Sequence, residues 1–567
     1  MGVMMTMQQN FLATLLRQTG LFTEAQLAIL LKADLSENNG ITGAVTRLEL
    51  AKEAEFLEKF APLLGLSYVD LTKTIPTNEA LQLLPARAVY QYNALPLSLT
   101  DGELTIALSD PLNSVAADGI RLVCGHPVRV CIAPSEDIDK AIKRHYGVGA
   151  EALDAMIDDG RYTVSDDGAN ISKIDVNEGG QEASIVRFVN SIIAEADKQG
   201  ATDIHVEPME DELRIRYRID GMLHKVDVPP KLNKLKAAII SRLKVMANLD
   251  IAEKRLPMDG RIGIRLNGED IDIRVSTCPT AYGESVSLRL LQKAGNFVQL
   301  KDLGMSDRDF ALTNKLITRP NGIILVTGPT GSGKSTSLYA FLHEINKVNV
   351  RIMTAEDPIE YEMKGINQVL VHPEIGLTFA RALRAFLRQD PDIIMVGEIR
   401  DGETAEIAIN ASLTGHLVFS TLHTNDAAGA FARLVDMGAE PFLVASAVAG
   451  VLAQRLARRL CPKCRKEIPL KEGWWDQPYA PPQDFVYAPE GCDACAHTGY
   501  KGRGAIFELL GVSEAIGSHI IARHSSAEIR KAAMAEGMTT LRQDGWRKVF
   551  NGFTSIEELM RVTEDAK

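Results

Sequence analysis

The stretch Gly328-Pro329-Thr330-Gly331-Ser332-Gly333-Lys334-Ser335-Thr336 constrains this chain most, because it begins where the apolar run Ile323-Ile324-Leu325-Val326 ends. The pattern G-x-x-x-x-G-K-S is that of a phosphate-binding P-loop. Its glycines let successive backbone N–H groups curl around phosphate oxygens, Lys334 reaches the β- and γ-phosphates, and the Ser335 hydroxyl holds Mg²⁺. Downstream, Ser335, Leu338, Tyr339, Phe341, Leu342 and Ile345 recur at helical spacing. A helix N-terminus therefore also faces the anion.

At 567 residues the chain is too long for one core, and about three to four domains are expected. Its formal charge of −12 argues against a protein that coats nucleic acid over its whole surface. No nucleic-acid motif is visible. The longest nearly unbroken apolar run, Phe442 to Ala453, falls short of the ~20 residues of a membrane-spanning helix. Met1 to Met7 carries no basic region of a secretory signal, and no continuous apolar segment with a cleavage site follows. A cytosolic address is expected.

Residues 1–72 read as a helical module. Thr23-Glu24-Ala25-Gln26 is a capping-box signature ahead of Leu27, Leu30 and Leu31, and a second helical stretch runs from Arg47 to Leu64. Residues 73–146 read as a small α/β module, for docking or regulation or else a buttress to the rest, in which Asp101-Gly102 joins two strands as a hairpin turn and Pro111-Leu112-Asn113 opens a helix. Residues 147–180 are acidic and poor in apolar side chains, the composition of a flexible linker. Residues 181–292 form a second α/β domain whose strand Leu213-Arg214-Ile215-Arg216-Tyr217-Arg218-Ile219 alternates strictly, so three arginines share one face. Arg261 and Arg274 add to that cluster. A solvated strand face and an anion-facing role both account for it.

Residues 293–460 are expected to be a doubly wound α/β core, with buried strands at Ile323–Thr327, Arg351–Thr354, Ile393–Val396 and Leu417–Thr421. Ligands bind beyond the carboxyl ends of such strands. Thr354-Ala355-Glu356-Asp357-Pro358-Ile359-Glu360 places carboxylates there, where Glu356 and Asp357 can face the γ-phosphate. Ile393-Ile394-Met395-Val396-Gly397-Glu398 fits the Walker B strand, with Glu398 supporting Mg²⁺. Thr414-Gly415-His416 and Thr421-Leu422-His423-Thr424 bracket the next strand, and His423 at its ligand side suits a phosphate-sensing or interface-coupling role.

Four of the seven cysteines come as two C-x-x-C pairs, Cys461/Cys464 and Cys492/Cys495, the donor set of a closed structural zinc site. Residues 461–503 are thus a tetracysteine zinc subdomain. Residues 504–567 read as amphipathic helices through Ile529, Met534, Leu541, Val549, Ile556 and Leu559.

P-loop, acidic box, Gly-Glu Walker B and histidine box in this order, with paired cysteines behind them, resemble the GspE/PilB family of secretion and pilus-assembly ATPases. The resemblance spans roughly Ser184 to Thr563. Met437-Gly438-Ala439-Glu440-Pro441-Phe442-Leu443, Gly450-Val451-Leu452-Ala453-Gln454-Arg455-Leu456 and Ala411-Ser412-Leu413-Thr414-Gly415-His416 look most like its type II secretion members, with the type IV pilus extension members close behind. It implies a RecA-like P-loop core, a preceding PAS-like α/β domain and a hexamer that hydrolyses ATP with Mg²⁺. It also implies roles for particular side chains. Glu360 would activate water, and Arg274 and Arg289 would contact the phosphates when the domains close. Arg384, Arg388 and Arg400 match arginines around the site and the subunit boundary. One departure is that the family's Gln-Asp-Gly-Arg is Met258-Asp259-Gly260-Arg261 here.

The implied partners are the cytoplasmic part of a GspL-like inner-membrane protein, through the N-terminal module, and a GspF-like platform protein; the implied location is peripheral, at the inner membrane. The N-terminal helices resemble an extension that binds cyclic di-GMP in some relatives, but the Arg-Leu-Gly start of that motif is not found around Phe11-Leu12-Ala13. The rival reading from another class is a non-hydrolysing ATP-binding scaffold. The complete set of Lys334, Ser335, Glu360 and Glu398 speaks against it.

Overall fold

A computed structural model describes residues 11–33, 40–150, 181–266, 269–291, 298–471, 473–475 and 481–563. It divides into two units, Met1–Leu291 and Gln292–Lys567. In the first, Thr23 and Gln26 form the expected reciprocal capping box at the start of helix Glu24–Leu30. The second helical stretch, expected from Arg47 to Leu64, is helix Glu53–Phe60 followed by a 3₁₀ turn, and a further helix that was not expected, Gly40–Arg47, ends where that stretch begins. The two helices are interrupted because Glu49 takes a left-handed conformation, with φ of 52°.

Strands β1 (Ser67–Tyr68), β2 (Leu95–Thr100), β3 (Glu103–Leu108) and β4 (Val128–Ile132) form a sheet of order β1-β4-β3-β2. Asp101 and Gly102 turn between β2 and β3 with φ of 51° and 76°, the two left-handed residues a tight hairpin needs. Asn113 caps the next helix, Ser114–Cys124, as its position predicts. Most of the acidic linker reading falls on residues 151–180, outside the described residues. Its first residues are packed: the Val148 N–H donates to the Asp227 carbonyl at 3.0 Å, and its side chain joins the core of the domain that follows.

That domain is a six-stranded antiparallel sheet of β5 (Ala201–Pro208), β6 (Leu213–Ile219), β7 (Met222–Lys225), β8 (Met258–Leu266), β9 (Glu269–Thr280) and β10 (Gly283–Leu291), ordered β7-β6-β5-β10-β9-β8. Ile204, Tyr217, Ile273, Val275 and Leu288 share a core with apolar side chains of helices Gln181–Lys198 and Lys236–Met246. The period of two turns the alternate residues to the other face. There Arg261, Arg274, Arg289, Asp203 and Arg218 stand directly opposite one another across five strands.

The second unit holds a seven-stranded sheet of β11 (Gly322–Thr327), β12 (Ile352–Glu356), β13 (Ile366–Leu370), β14 (Ile393–Val396), β15 (Leu417–Leu422), β16 (Val448–Leu460) and β19 (Tyr500–Gly511). Its order is β13-β12-β14-β15-β11-β16-β19, parallel except for β19. β11, β12, β14 and β15 are buried along their whole length, as a parallel sheet covered on both faces requires. The expected strands are all present. The apolar run from Phe442 divides into helix Pro441–Ala447 and the start of β16. Because Ala505–Leu510 in β19, apolar except for Glu508, pairs with β16, the sheet continues past Leu460 into the segment read as helical. Four helices then follow, the last being Ile556–Thr563. A short hairpin, β17 (Lys466–Pro469) with β18 (Phe485–Ala488), lies between the cysteine pairs. Among the described residues no helix is long and apolar enough to cross a membrane.

Candidate functional site

Four parallel strands end on one edge of the second sheet, and their C-terminal ends bring together what the sequence scatters over 90 positions. One cavity is lined by Lys334 and Ser335 beyond β11, Asp357 and Glu360 beyond β12, Glu398 beyond β14 and His423 beyond β15. The loop in front of helix Lys334–Ile345 turns through Gly331 and Gly333 at φ of 77° and 88°. At Gly328 a Cβ would stand 2.5 Å from the Gln454 carbonyl oxygen and 2.6 Å from Ser332 Oγ, so the loop closes only with glycine there.

Lys334 Nζ donates to the Gly328 and Pro329 carbonyls at 2.8 and 3.2 Å. Burial lowers its pKa to about 8, with Arg455 adding to the fall and Glu398 opposing it. Glu398 receives Arg400 Nη2 at 2.5 Å and lies 3.5 Å from His423 Nε2. Arg400 also stands 3.9 Å from Asp357, and its pKa is raised, chiefly by the bond to Glu398. The Walker B strand is fixed to its neighbour by Ser420 Oγ and Thr421 Oγ1, which donate to the Val396 and Gly397 carbonyls at 2.8 and 2.7 Å.

Glu356 lines the cavity, yet its carboxylate is turned to internal donors rather than left open to a phosphate. Oε1 accepts from Thr354 Oγ1 at 2.5 Å and Gln368 Nε2 at 3.0 Å, and Oε2 accepts from Tyr339 Oη. Arg384 and Arg388 stand apart from the cavity lining: Arg384 pairs with Glu403 at 2.7 Å, and Arg388 donates to the Arg384 carbonyl. Arg274 and Arg289 belong to the first unit. Arg289 is held there by Asp203, Nε to Oδ1 at 2.9 Å, with its side chain 60% exposed.

Two contributors appear in the sequence without a role that their motifs reveal. Gln454 on β16 is buried, donates from Nε2 to the Ser332 carbonyl at 2.7 Å and accepts from Ser337 Oγ at 2.8 Å. It joins the phosphate loop to its helix. A lone amide at the end of a long apolar run was its signal, since buried amides need partners. Tyr339 stands in the sequence only as one of the positions at helical spacing after the P-loop. Only its hydroxyl marks it out.

The four cysteines of the two pairs converge as their spacing predicts, with all four sulfurs within 4.8 Å of one another. Three sulfur–sulfur distances are 3.8 Å, for Cys461–Cys492, Cys464–Cys495 and Cys492–Cys495. A tetrahedron of Zn–S bonds of about 2.3 Å has edges of about 3.8 Å, so this donor set fits zinc. Backbone N–H groups of Gly491, Cys492 and Gly499 point at the sulfurs of Cys464 and Cys495, which stabilises thiolates.

Residues 178–561 match the family described as Type II/IV secretion system protein, and residues 64–152 match the MshEN domain. A type II secretion system protein E of Xanthomonas campestris pv. campestris is 43% identical over 542 residues, covering 93% of this chain and 94% of that protein. The type IV pilus assembly ATPase PilB of Myxococcus xanthus is also 43% identical, over 531 residues and 92% of each chain. Among solved structures, the Legionella pneumophila ATPase DotB superposes with a TM-score of 0.50 at 21% identity, covering 66% of this chain and 94% of that one, a likeness of fold.

Proposed function

This chain belongs to the type II/IV secretion system protein family, and from that premise we propose that it hydrolyses ATP, as a hexamer, to drive pseudopilus assembly and protein export by type II secretion. The observation that carries the reading is the single cavity in which Lys334, Ser335, Glu360, Glu398 and His423 meet. An ammonium, a hydroxyl and two carboxylates in one cleft are what phosphoryl transfer to water requires.

In this mechanism ATP lies with its phosphates in the loop Gly328–Thr336, where Lys334 supplies a point charge. Ser335 and Glu398 are the residues that would hold Mg²⁺, which when bound neutralises charge developing on the phosphate oxygens. Glu360 takes the proton of the attacking water. His423, beside Glu398, senses the occupancy of that position. Arg400 links Glu398 to Asp357, and Arg384 and Arg388 face the subunit boundary. Arg274 and Arg289 reach the phosphates when the domains close, which couples hydrolysis to motion. The cysteine cluster holds a structural zinc, a closed S₄ site with no position open to substrate.

The match to the MshEN domain supports docking of the N-terminal region on another secretion component, the cytoplasmic part of an inner-membrane protein, which would make the chain peripheral at that membrane. Type IV pilus extension is the second reading, favoured by a PilB as similar as the secretion relative. In a strain lacking this chain, re-expression should restore exported proteins to the medium. Lys334→Ala and a chain lacking residues 1–145 should both fail, although the truncated protein still binds ATP. Restored surface pili with no change in export would move the assignment to the pilus.

A further inference from the structure

Glu360 sits on the loop beyond β12, and a loop alone holds a reacting group poorly. Three hydrogen bonds tie that loop down. The Glu360 N–H donates to Tyr339 Oη at 3.2 Å, the Met363 N–H donates to Gln368 Oε1 at 2.7 Å, and Gln368 Nε2 donates to the Tyr361 carbonyl at 3.2 Å. Tyr339 and Gln368 in turn both donate to Glu356, the carboxylate that Thr354 also fills. A phenol has one proton to give. With that proton on Glu356, its lone pairs are the acceptor that the Glu360 N–H finds. Tyr339 lies on the same helix as Lys334 and Ser335.

We infer that Tyr339 and Glu356 form a positioning pair, which fixes the backbone of Glu360 to the P-loop helix and so sets the carboxylate of Glu360 against the phosphates. The inference rests on the reading of Glu360 as the group that activates water. Glu356, on this account, acts through Tyr339 and not on the nucleotide. Reaction geometry is steep in distance: a misplacement of about 1 Å can slow a step about 10²-fold while leaving binding intact.

The test is steady-state ATP hydrolysis with Mg²⁺ by the full-length assembled protein as wild type, Tyr339→Phe, Glu360→Gln and the double variant, with affinity for a fluorescent ATP analogue measured beside it. Tyr339→Phe should lower kcat at least about fivefold, with KM and analogue affinity within about twofold, and should slow Glu360→Gln no further. A smaller loss in kcat, a matching loss in nucleotide affinity, or additive losses in the double variant would each overturn the positioning role. Should Tyr339→Phe fail to fold, Glu356→Gln, which keeps the shape of the hub, is judged by the same readouts. Near-normal turnover in Glu360→Gln removes the reading of Glu360 and the inference with it. Normal turnover in Tyr339→Phe beside an inactive Glu360→Gln removes the inference alone.

Discussion

Lys334 shows how burial prepares a side chain for its ligand. Its ammonium loses water in the cleft and its pKa falls to about 8, well below the ordinary lysine value. A phosphate needs the charged form. Without nucleotide, Lys334 deprotonates as pH rises through about 8, so above that pH ATP binding must take up a proton, and ATP affinity must fall as pH rises. Calorimetric titration at about pH 8.5 in buffers of different ionisation enthalpy should detect that uptake. Affinity that stays level between about pH 7 and 9, with no proton uptake, would show that Lys334 is charged throughout. At this scale the sequence was informative about charged groups and less so about their orientation. Lys334, Glu360 and Glu398 were legible from motif and strand order, whereas Glu356 was expected to face phosphate and instead binds Thr354, Gln368 and Tyr339. A motif records which residue follows a strand, but which way a carboxylate turns depends on donors as distant in sequence as Tyr339.

Elements with their own local pattern were read well. The capping box at Thr23, the hairpin at Asp101-Gly102 and the alternation in β6 each follow from a few neighbouring residues, and each is present. What was missed is non-local. β16 and β19 pair across the cysteine subdomain, so no spacing announces that β19 completes the P-loop sheet. Glu508 ties β19 to its surroundings, because its buried carboxylate accepts the N–H groups of Ala427, beyond β15, and Leu541, at the start of a C-terminal helix. The cysteine knuckles hang between the same two strands. A closed S₄ zinc contributes of order 10 kcal/mol to folding of such a site, so Cys461→Ser should loosen this region strongly while the P-loop cleft survives. Elemental analysis of freshly purified, reduced protein checks the assignment. About one zinc per chain is expected, and none would leave four converging thiols without a reason.

For the whole molecule, the division of labour between units is the substance of the proposal. The arginine row of the first unit is built as a surface: one face of its sheet is closed by helices, and on the other Arg289 is braced by Asp203 while most of its side chain stays exposed. If that face acts on ATP, Arg289→Ala should bind nucleotide normally and hydrolyse it on the order of 10³-fold more slowly, the range for arginines that stabilise phosphoryl transfer. A loss below about tenfold would return the row to a solvated strand face. The most direct measurement is phosphate release by the assembled wild-type chain and by Glu398→Gln, with ATP binding followed in the same samples. The wild type should turn over, and Glu398→Gln should bind ATP and lose at least about 10²-fold in rate. A wild type that binds ATP without hydrolysing it, or a Glu398→Gln that hydrolyses at the normal rate, would contradict the account.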